Sequence, residues 1–409
     1  MRYAKKQLSR YLEKDLLRLL KSGYSGLILG PRQVGKTTLV QYILENFKNT
    51  RKYFLQNPKT RADFEKDPEK IIREVEAMDK NALVFVDEAQ KVPELFDAVQ
   101  YLIDGKKAQF ILTGSSARKL RRSGANLLPG RIKRYYLDPL LWGELGLIKE
   151  STIKNIALKN INKGNHFLLE DLLVFGSLPG IITLPKNERE DFLKAYALIY
   201  LDEEIRAESL SRKIGAFSRF LELVARESGT SPNYTKLSNE AGISIQTIKD
   251  YFQLLSDTLV VEMVEPFLRN SRKRILASPR YYFFDLGVRN ALARWPLSTD
   301  TANIQKGMLF ENFVMLEIIR RIRALHKDYK INYWRTSGGA EVDCVIDLGK
   351  EVIPIEIKSG SSARLGELKG LKNFLKEYSE IAKIGYVITT GERKEKLAKN
   401  IIAIPWNCL

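Results

Sequence analysis

The sequence of 409 residues is poor in cysteine and histidine, with two of each. Two cysteines, Cys344 and Cys408, cannot build a disulfide framework or a zinc site. They suit a reducing compartment, so a cytoplasmic location is expected. His166 and His326 each stand alone and read as surface or packing residues rather than ligands. No stretch approaches the roughly eighteen uninterrupted apolar residues that a membrane span needs, so no membrane partner is expected. The opening Met1-Arg2-Tyr3-Ala4-Lys5-Lys6 leads into an amphipathic pattern and not into the apolar block of a signal peptide. Acid is scarce as well: 49 Asp and Glu face 67 Lys and Arg, a net charge of +18.

That excess attracts polyanions. Nucleic acid, DNA foremost, is the expected partner, although acidic proteins or a membrane surface would also answer to such a field. The charge is clustered: from Arg118 to Arg134 there are seven basic residues and no acidic one. A second cluster holds Arg269, Arg272, Lys273, Arg274 and Arg280. With 44% hydrophobic and 28% charged residues the chain is of globular type, and its length calls for two or three domains.

Gly26-Leu27-Ile28-Leu29 is a short apolar run of strand type. It empties into Gly30-Pro31-Arg32-Gln33-Val34-Gly35-Lys36-Thr37, followed by a helical stretch that opens at Thr38. This is G-x-x-x-x-G-K-T between a strand and a helix, the arrangement that wraps backbone N–H groups around phosphate. ATP is the expected ligand, bound by Gly30, Pro31, Arg32, Gln33, Val34, Gly35, Lys36, Thr37 and Thr38. Lys36 would reach the β- and γ-phosphates, and the Thr37 hydroxyl would ligate Mg2+.

A second apolar run, Ala82 to Val86, delivers Asp87 and Glu88 at its end. Such carboxylates sit at the C-terminal edge of a parallel sheet, where ligands bind. Asp87 would hold magnesium through water, and Glu88 would orient and deprotonate the attacking water. A third run, Gln109 to Thr113, ends in Gly114-Ser115-Ser116, with Thr113 and Ser115 as candidate sensors of the γ-phosphate.

Gly-Pro-Arg-Gln-Val-Gly-Lys-Thr-Thr, Val-Asp-Glu-Ala-Gln and Leu-Thr-Gly-Ser-Ser resemble a prokaryotic family of AAA-type ATPases abundant in archaea. The likeness continues through Leu128-Pro129-Gly130-Arg131, Leu137-Asp138-Pro139-Leu140 and Glu144. The resemblance implies an α/β fold built on a P-loop ASCE/AAA-type sheet. It also implies an arginine finger after the sensor strand, with Arg131 first and Arg118 second; a finger acting in trans implies a homo-oligomer. A surface arginine binding DNA is the other account of Arg131. The family carries Gly-Gly before an aromatic or Leu and Pro, whereas this chain has Gly176-Ser177-Leu178-Pro179.

The expected division is an ATPase core over 1–140, a helical lid over 141–212, a winged helix over 213–295 and a last domain over 300–409. Tyr234 to Ala241, then Gly242-Ile243, then Ser244 to Thr258 has helix–turn–helix spacing. Two strand-like runs around the basic tip complete a wing. Arg272, Lys273 and Arg274 would contact phosphates, and the second helix would expose Ser244, Gln246, Thr247, Lys249 and Asp250. Only Lys249 is basic in that set.

In the last hundred residues Glu341 to Ile346 and Val352 to Lys358 are expected to pair as an antiparallel hairpin. With Leu348 and Gly349 as its loop, Asp343 lies opposite Pro354 and Glu341 opposite Glu356. Alternation then puts Glu341, Asp343, Glu356 and Lys358 on one face, and Val342, Cys344, Ile346, Ile353, Ile355 and Ile357 on the other. Carboxylates converging in this way are costly unless a cation joins them. Glu311 on the preceding helix, Asp343, and Glu356-Ile357-Lys358 resemble the PD-(D/E)XK nuclease superfamily, a restriction-endonuclease-like α/β fold. The resemblance implies Glu311, Asp343 and Glu356 as ligands of Mg2+ or Mn2+, Asp343, Glu356 and Lys358 as catalytic groups, and an αβββαβ element order. Two functions fit: an ATPase that acts on DNA through a tethered nuclease which it gates, or a nucleotide switch whose last domains only bind DNA or a protein.

Overall fold

A computed structural model describes residues 8–115, 130–163, 167–208, 214–268 and 278–409. Arg118, Arg272, Lys273 and Arg274 lie outside the described residues. The chain divides into two units, Met1–Pro139 with Leu254–Val260, and Leu140–Gln253 with Val261–Leu409.

The first unit is an α/β layer built on five parallel strands: β1 (Ser25–Leu29), β2 (Thr50–Phe54), β3 (Ala82–Asp87), β4 (Ala108–Gly114) and β5 (Ile132–Tyr136), in the order β2-β3-β4-β1-β5. The central strands β1 and β3 are buried along their whole length, which is why they read as unbroken apolar runs. The edge strands carry charge instead, Arg51 and Lys52 in β2 and Lys133 and Arg134 in β5, and so resist pairing with another chain. The helix Tyr11–Lys21 buries Leu12, Leu16, Leu19 and Leu20. Because β4 lies between β1 and β3, the ends of three strands meet beside the phosphate loop.

The second unit holds an eight-stranded sheet in the order β12-β13-β11-β10-β9-β8-β6-β7. Its strands are β6 (Val261–Pro266), β7 (Arg280–Phe283), β8 (Lys330–Arg335), β9 (Glu341–Asp347), β10 (Val352–Ile357), β11 (Gly385–Thr389), β12 (Glu395–Ala398) and β13 (Ile401–Pro405). The helix Lys306–Ala324, strands β8, β9 and β10, the helix Lys369–Glu377 and β11 follow one another in the expected α, three β, α, β order, and β12 and β13 extend it.

Three features depart from the sequence expectation. The first is the hairpin: Asp347 pairs with Val352 and Pro354 with Val345, leaving a four-residue loop, 348–351, instead of a two-residue one. The Asp347 carboxylate accepts the Gly349 N–H at 2.8 Å and Leu348 N–H reaches the Glu351 carbonyl at 3.0 Å, so the turn closes two residues earlier. Continued along the strands, this register sets Asp343 opposite Glu356, not Pro354. The second is a bulge: β8 and β9 shift register between Asn332 and Trp334, so Asp343 and Cys344 together oppose Tyr333. Val342 therefore shares one core with Val345 and Val352, against Leu371 and Phe374, rather than lying with Cys344 and Ile346.

The third is the wing. Helices Tyr234–Ala241 and Ile245–Asp257 flank Gly242 in a left-handed conformation, with the Ser244 hydroxyl capping Thr247 N–H at 3.1 Å. The antiparallel pair β6–β7 that follows is no free hairpin. Its strand β6 runs parallel to β8 through Glu265–Asn332 and Pro266–Tyr333, which satisfies an otherwise open edge and joins the pair to the last sheet.

Helices Leu169–Phe175 and Lys186–Glu208, expected as a lid, pack within this unit on the helix Leu286–Leu292. The Asn290 amide donates to the carbonyls of Leu173 and Val174, both at 2.9 Å. Gly176 has φ 69° and ψ −155°, and a Cβ there would lie 2.1 Å from Asp285 Oδ1. Ser177, where a second glycine was expected, donates its N–H to Asp285 at 2.8 Å, and its hydroxyl receives Arg320 at 3.0 Å. Gly176→Ala is expected to cost about 3 kcal/mol or more, since the backbone region is glycine's alone and the clash meets a buried carboxylate. A melting temperature within a degree or two of wild type would contradict this.

Candidate functional site

The phosphate loop leaves β1 and enters the helix Lys36–Leu44 through two left-handed residues, Gln33 at φ 63° and Gly35 at φ 94°. Gly30 is pressed against the chain after β5, where a Cβ would stand 2.2 Å from the Leu137 carbonyl oxygen. Lys36 is buried and donates to the carbonyls of Gly30 at 2.7 Å and Pro31 at 2.8 Å. Burial pulls its pKa down, against the pull of Glu88 and Asp87. Arg10, which no sequence pattern singled out, ties the loop to the chain after β5: its guanidinium donates to the carbonyls of Val34 at 2.8 Å and Asp138 at 2.6 Å.

At the strand ends the expected residues meet. One oxygen of Asp87 accepts the hydroxyls of Thr113 at 2.6 Å and Thr37 at 2.9 Å. Burial raises the pKa of Asp87 while those two hydroxyls lower it. Glu88 sits in a left-handed conformation, φ 56°, unusual for a side-chain-bearing residue, and its N–H is taken up by Thr113 Oγ1 at 3.0 Å. Its carboxylate accepts Ser115 Oγ at 2.8 Å and Gln90 Nε2 at 2.5 Å. Thr113 thus orients both acids, and Ser115 with Gln90 fixes the second. Thr37 and Asp87 are a hard oxygen pair of the kind magnesium takes alongside phosphate.

Arg131 does not join them. It precedes β5, whose Ile132 stands beside Ser25 at the start of β1, while the loop follows Leu29 at the other end. Roughly 13 Å of strand separates the two edges. There Arg131 pairs with Asp104 at 2.5 Å. An arginine so placed cannot reach the phosphates bound by its own loop.

In the second unit a carboxylate cluster forms where the sequence placed it. Asp343 Oδ2 accepts Ile357 N–H at 2.7 Å, and Lys358 donates to Glu356 Oε1 at 2.8 Å. Glu356 Oε2 is buried with no partner. Glu311 accepts the Tyr282 hydroxyl at 3.1 Å. Burial, with Asp343 next in effect, pushes the Glu311 pKa up to about 8 and that of Glu356 up to about 7; burial also raises Asp343. The Arg280 guanidinium enters this cluster, 3.7 Å from Glu311 and in contact with Glu341. Among the described residues no group of three or more His, Cys, Asp or Glu is disposed to hold a metal ion. As the side chains stand, Glu311, Asp343 and Glu356 do not make a metal cage, contrary to the expectation: one oxygen of each is taken, Glu311 by Arg280 and Tyr282, Asp343 by the Ile357 amide and Glu356 by Lys358, and Glu356 Oε2 stands apart without a partner.

Lys249, the basic residue of the second helix of the helix–turn–helix, is exposed, with its ammonium 5.6 Å from the Tyr234 ring. Among the described residues no helix is long and apolar enough to cross a membrane.

Residues 24–146 match the family model of an AAA domain; 166–299 and 306–409 match two domains of unknown function, DUF8612 and DUF4143. Uncharacterised proteins of Mycobacterium bovis (Mb2031c) and Mycobacterium tuberculosis (Rv2008c) are each 24% identical over 387 residues, 93% of this chain and 79% of theirs. Among solved structures, the Walker-type ATPase paby2304 of Pyrococcus abyssi is 15% identical with a TM-score of 0.47, covering 71% of this chain and 97% of its own. The replication initiator DnaA, bound to AMPPCP and single-stranded DNA, is 14% identical with a TM-score of 0.31, covering 62% and 89%. The first unit is an α/β fold on a parallel sheet with a phosphate loop, and the AAA-domain match covers most of it.

The cluster gives a pH-dependent prediction. Folding raises the Glu356 pKa, so ionising it costs stability as pH climbs from its ordinary range toward 7, and the cost persists above. Without divalent cations, Glu356→Gln is expected to be more stable than wild type at pH 8 by about 1–2 kcal/mol, with the gain shrinking as pH falls and gone only below the ordinary carboxylate range, at about pH 4. Denaturant melts at both pH values check this, and a variant less stable at pH 8 would refute it.

Proposed function

We propose that this chain hydrolyses ATP with magnesium and couples hydrolysis to work on nucleic acid, DNA foremost. The observation that carries the first part is the single Asp87 oxygen bridging Thr37 and Thr113 beside Lys36. Gly30, Arg32, Gln33, Val34, Gly35 and Thr38 would wrap the phosphates with backbone N–H groups, Pro31, which has none, would shape the loop, and Lys36 would exchange its two carbonyls for β- and γ-oxygens. Thr37 and, through water, Asp87 would hold magnesium, which would supply charge neutralisation on the phosphates. Glu88 takes the proton of the attacking water once it is released from Ser115 and Gln90. Arg131 serves as a finger only toward the nucleotide of another copy, which makes the active form a homo-oligomer; otherwise it is a surface cation that would meet DNA by leaving Asp104.

Nucleic acid as the partner rests on the charge of +18, on the helix–turn–helix read as part of a winged helix with Lys249 exposed, and on the basic set Arg272, Lys273 and Arg274. The last domain is read as nuclease-like, with Asp343, Glu356 and Lys358 as its catalytic groups and Glu311 as a further acid. A second reading, a nucleotide-dependent switch whose C-terminal part only binds DNA or a protein, is favoured by Arg280 lying among those acids.

Glu88→Gln should leave ATP binding intact and lower kcat by about 10²–10⁴-fold, whereas Lys36→Ala should abolish binding. Nucleotide titration and phosphate release measure the two separately; a Glu88→Gln protein that hydrolyses normally removes Glu88 from the reaction. Linear, single-stranded and branched DNA incubated with manganese or magnesium, with and without ATP, then distinguishes the two C-terminal readings. Cleavage lost in Asp343→Ala is expected for the nuclease, and DNA-stimulated ATP hydrolysis without cleavage for the switch.

A further inference from the structure

Arg280 opens β7 with its side chain 7% exposed, and its guanidinium lies 4.4 Å from the centroid of the Tyr333 ring. From there it meets carboxylates of two other elements, Glu311 on the helix Lys306–Ala324 and Glu341 at the start of β9. Neither contact is local in sequence, and the stacked ring fixes the plane of the fork. A planar guanidinium with donors on two edges is suited to bridging two carboxylates, which a single ammonium does less well.

The rest of the cluster bears on what this cation does. Glu311, Glu341, Asp343 and Glu356 interact electrostatically in one region, buried except at Glu341, which is 34% exposed and also meets Arg335 at 3.7 Å; Lys358 hydrogen-bonds Glu356 and attracts Asp343. Four carboxylates cannot share a desolvated site without positive charge. Arg280 supplies it to Glu311 and Glu341. Glu356 Oε2 is left buried and unpartnered beside Asp343, an acceptor with nothing to accept. The cluster is therefore neutralised on one side and unsatisfied on the other.

We infer that Arg280 is a resident counter-cation that competes with divalent metal for this cluster, holding Glu311 away from any cation that would bind at Asp343 and Glu356. The inference rests on the proposed metal-dependent reading of those residues. It accounts for why the acids converge as the sequence suggests and yet form no cage. A divalent cation and the guanidinium repel one another at this distance, so a metal binds weakly while Arg280 stays and more tightly when it swings out or is removed.

The test is manganese binding to the nucleotide-free full-length protein, followed by electron paramagnetic resonance, in wild type, Arg280→Gln, and each combined with Asp343→Ala. The site in question is the binding that Asp343→Ala removes, which separates it from the phosphate loop. Arg280→Gln is expected to hold manganese at least about tenfold more tightly than wild type. Manganese should also raise its melting temperature more than it raises that of wild type. Equal affinity in the two proteins overturns the competition while leaving the metal reading intact. No Asp343-dependent binding in either overturns both. Should Arg280→Gln fail to fold, Arg280→Met replaces it: the apolar stem still packs on Tyr333 but the charge is gone, and affinity no higher than wild type overturns the inference.

Discussion

Removing a carboxylate from water costs several kcal/mol unless donors or a cation replace the lost hydration, and this chain is organised around meeting that demand. Asp87 meets it with two threonine hydroxyls, which ties the phosphate loop to β4. Asp285 meets it with the amides of Ser177, Gly287 and Val288, which caps one helix and anchors the turn at Gly176. Glu317, wholly buried, takes the Trp142 N–H at 3.1 Å and the Arg321 guanidinium at 2.7 Å. In each case at least one partner comes from a distant part of the sequence, Ser177 for Asp285 and Trp142 for Glu317, so satisfying the acid also fixes the packing of elements. The same demand separates the two candidate sites. Around Asp87 two neutral hydroxyls do the work and leave its negative charge uncancelled by a partner ion; around Glu311 a guanidinium does it and covers the charge.

What was legible in the sequence is what local pattern encodes. The loop from Gly30 to Thr37 announces itself because glycines at fixed spacing between a strand and a helix have few other uses. Val84 to Asp87 reads as a central strand because burial on both faces leaves no polar alternation. Thr113 and Ser115 follow from strand order, since a residue at the tip of a neighbouring strand faces the same ligand. Arg10, Gln90 and Arg280 left no comparable trace. Arg10 acts on carbonyls 24 and 128 positions away, and an arginine in an amphipathic opening carries no sign of that. Gln90 stood inside the quoted Val-Asp-Glu-Ala-Gln, and only the left-handed turn at Glu88 folds it back onto the acid.

The C-terminal hairpin shows where pattern reasoning stops. Shifting a register by two residues keeps every side chain on its face, so alternation could not tell a two-residue loop from the observed four-residue one. It was the Asp347 side chain, closing on Gly349, that decided the matter. The bulge at Asp343 and Cys344 is a different failure, because an extra residue reverses alternation downstream of it and nothing in Glu341 to Ile346 marks the position. Its effect is to turn Val342 into the core beside the helix Lys369–Glu377 while Asp343 reaches across to the Ile357 amide.

The joining of β6 to β8 bears on how the second unit would respond to a nucleic acid. A free wing could move with its ligand without disturbing anything else. Here β7 pairs with β6, β6 with β8, and β8 with β9, so the helix–turn–helix is followed directly by strands whose far neighbours carry Glu341 and Asp343. Arg280 sits at the first residue of β7 and places its charge among those acids. Packed sheets deform little, so a displacement of β7 by even an ångström is passed to the guanidinium rather than absorbed along the way. An ion pair of this kind is sensitive to such a displacement, because its Coulomb attraction falls with distance while the desolvation cost of the acids stays. The helix–turn–helix is thus followed directly by the strand pair whose β7 carries Arg280 to Glu311 and Glu341.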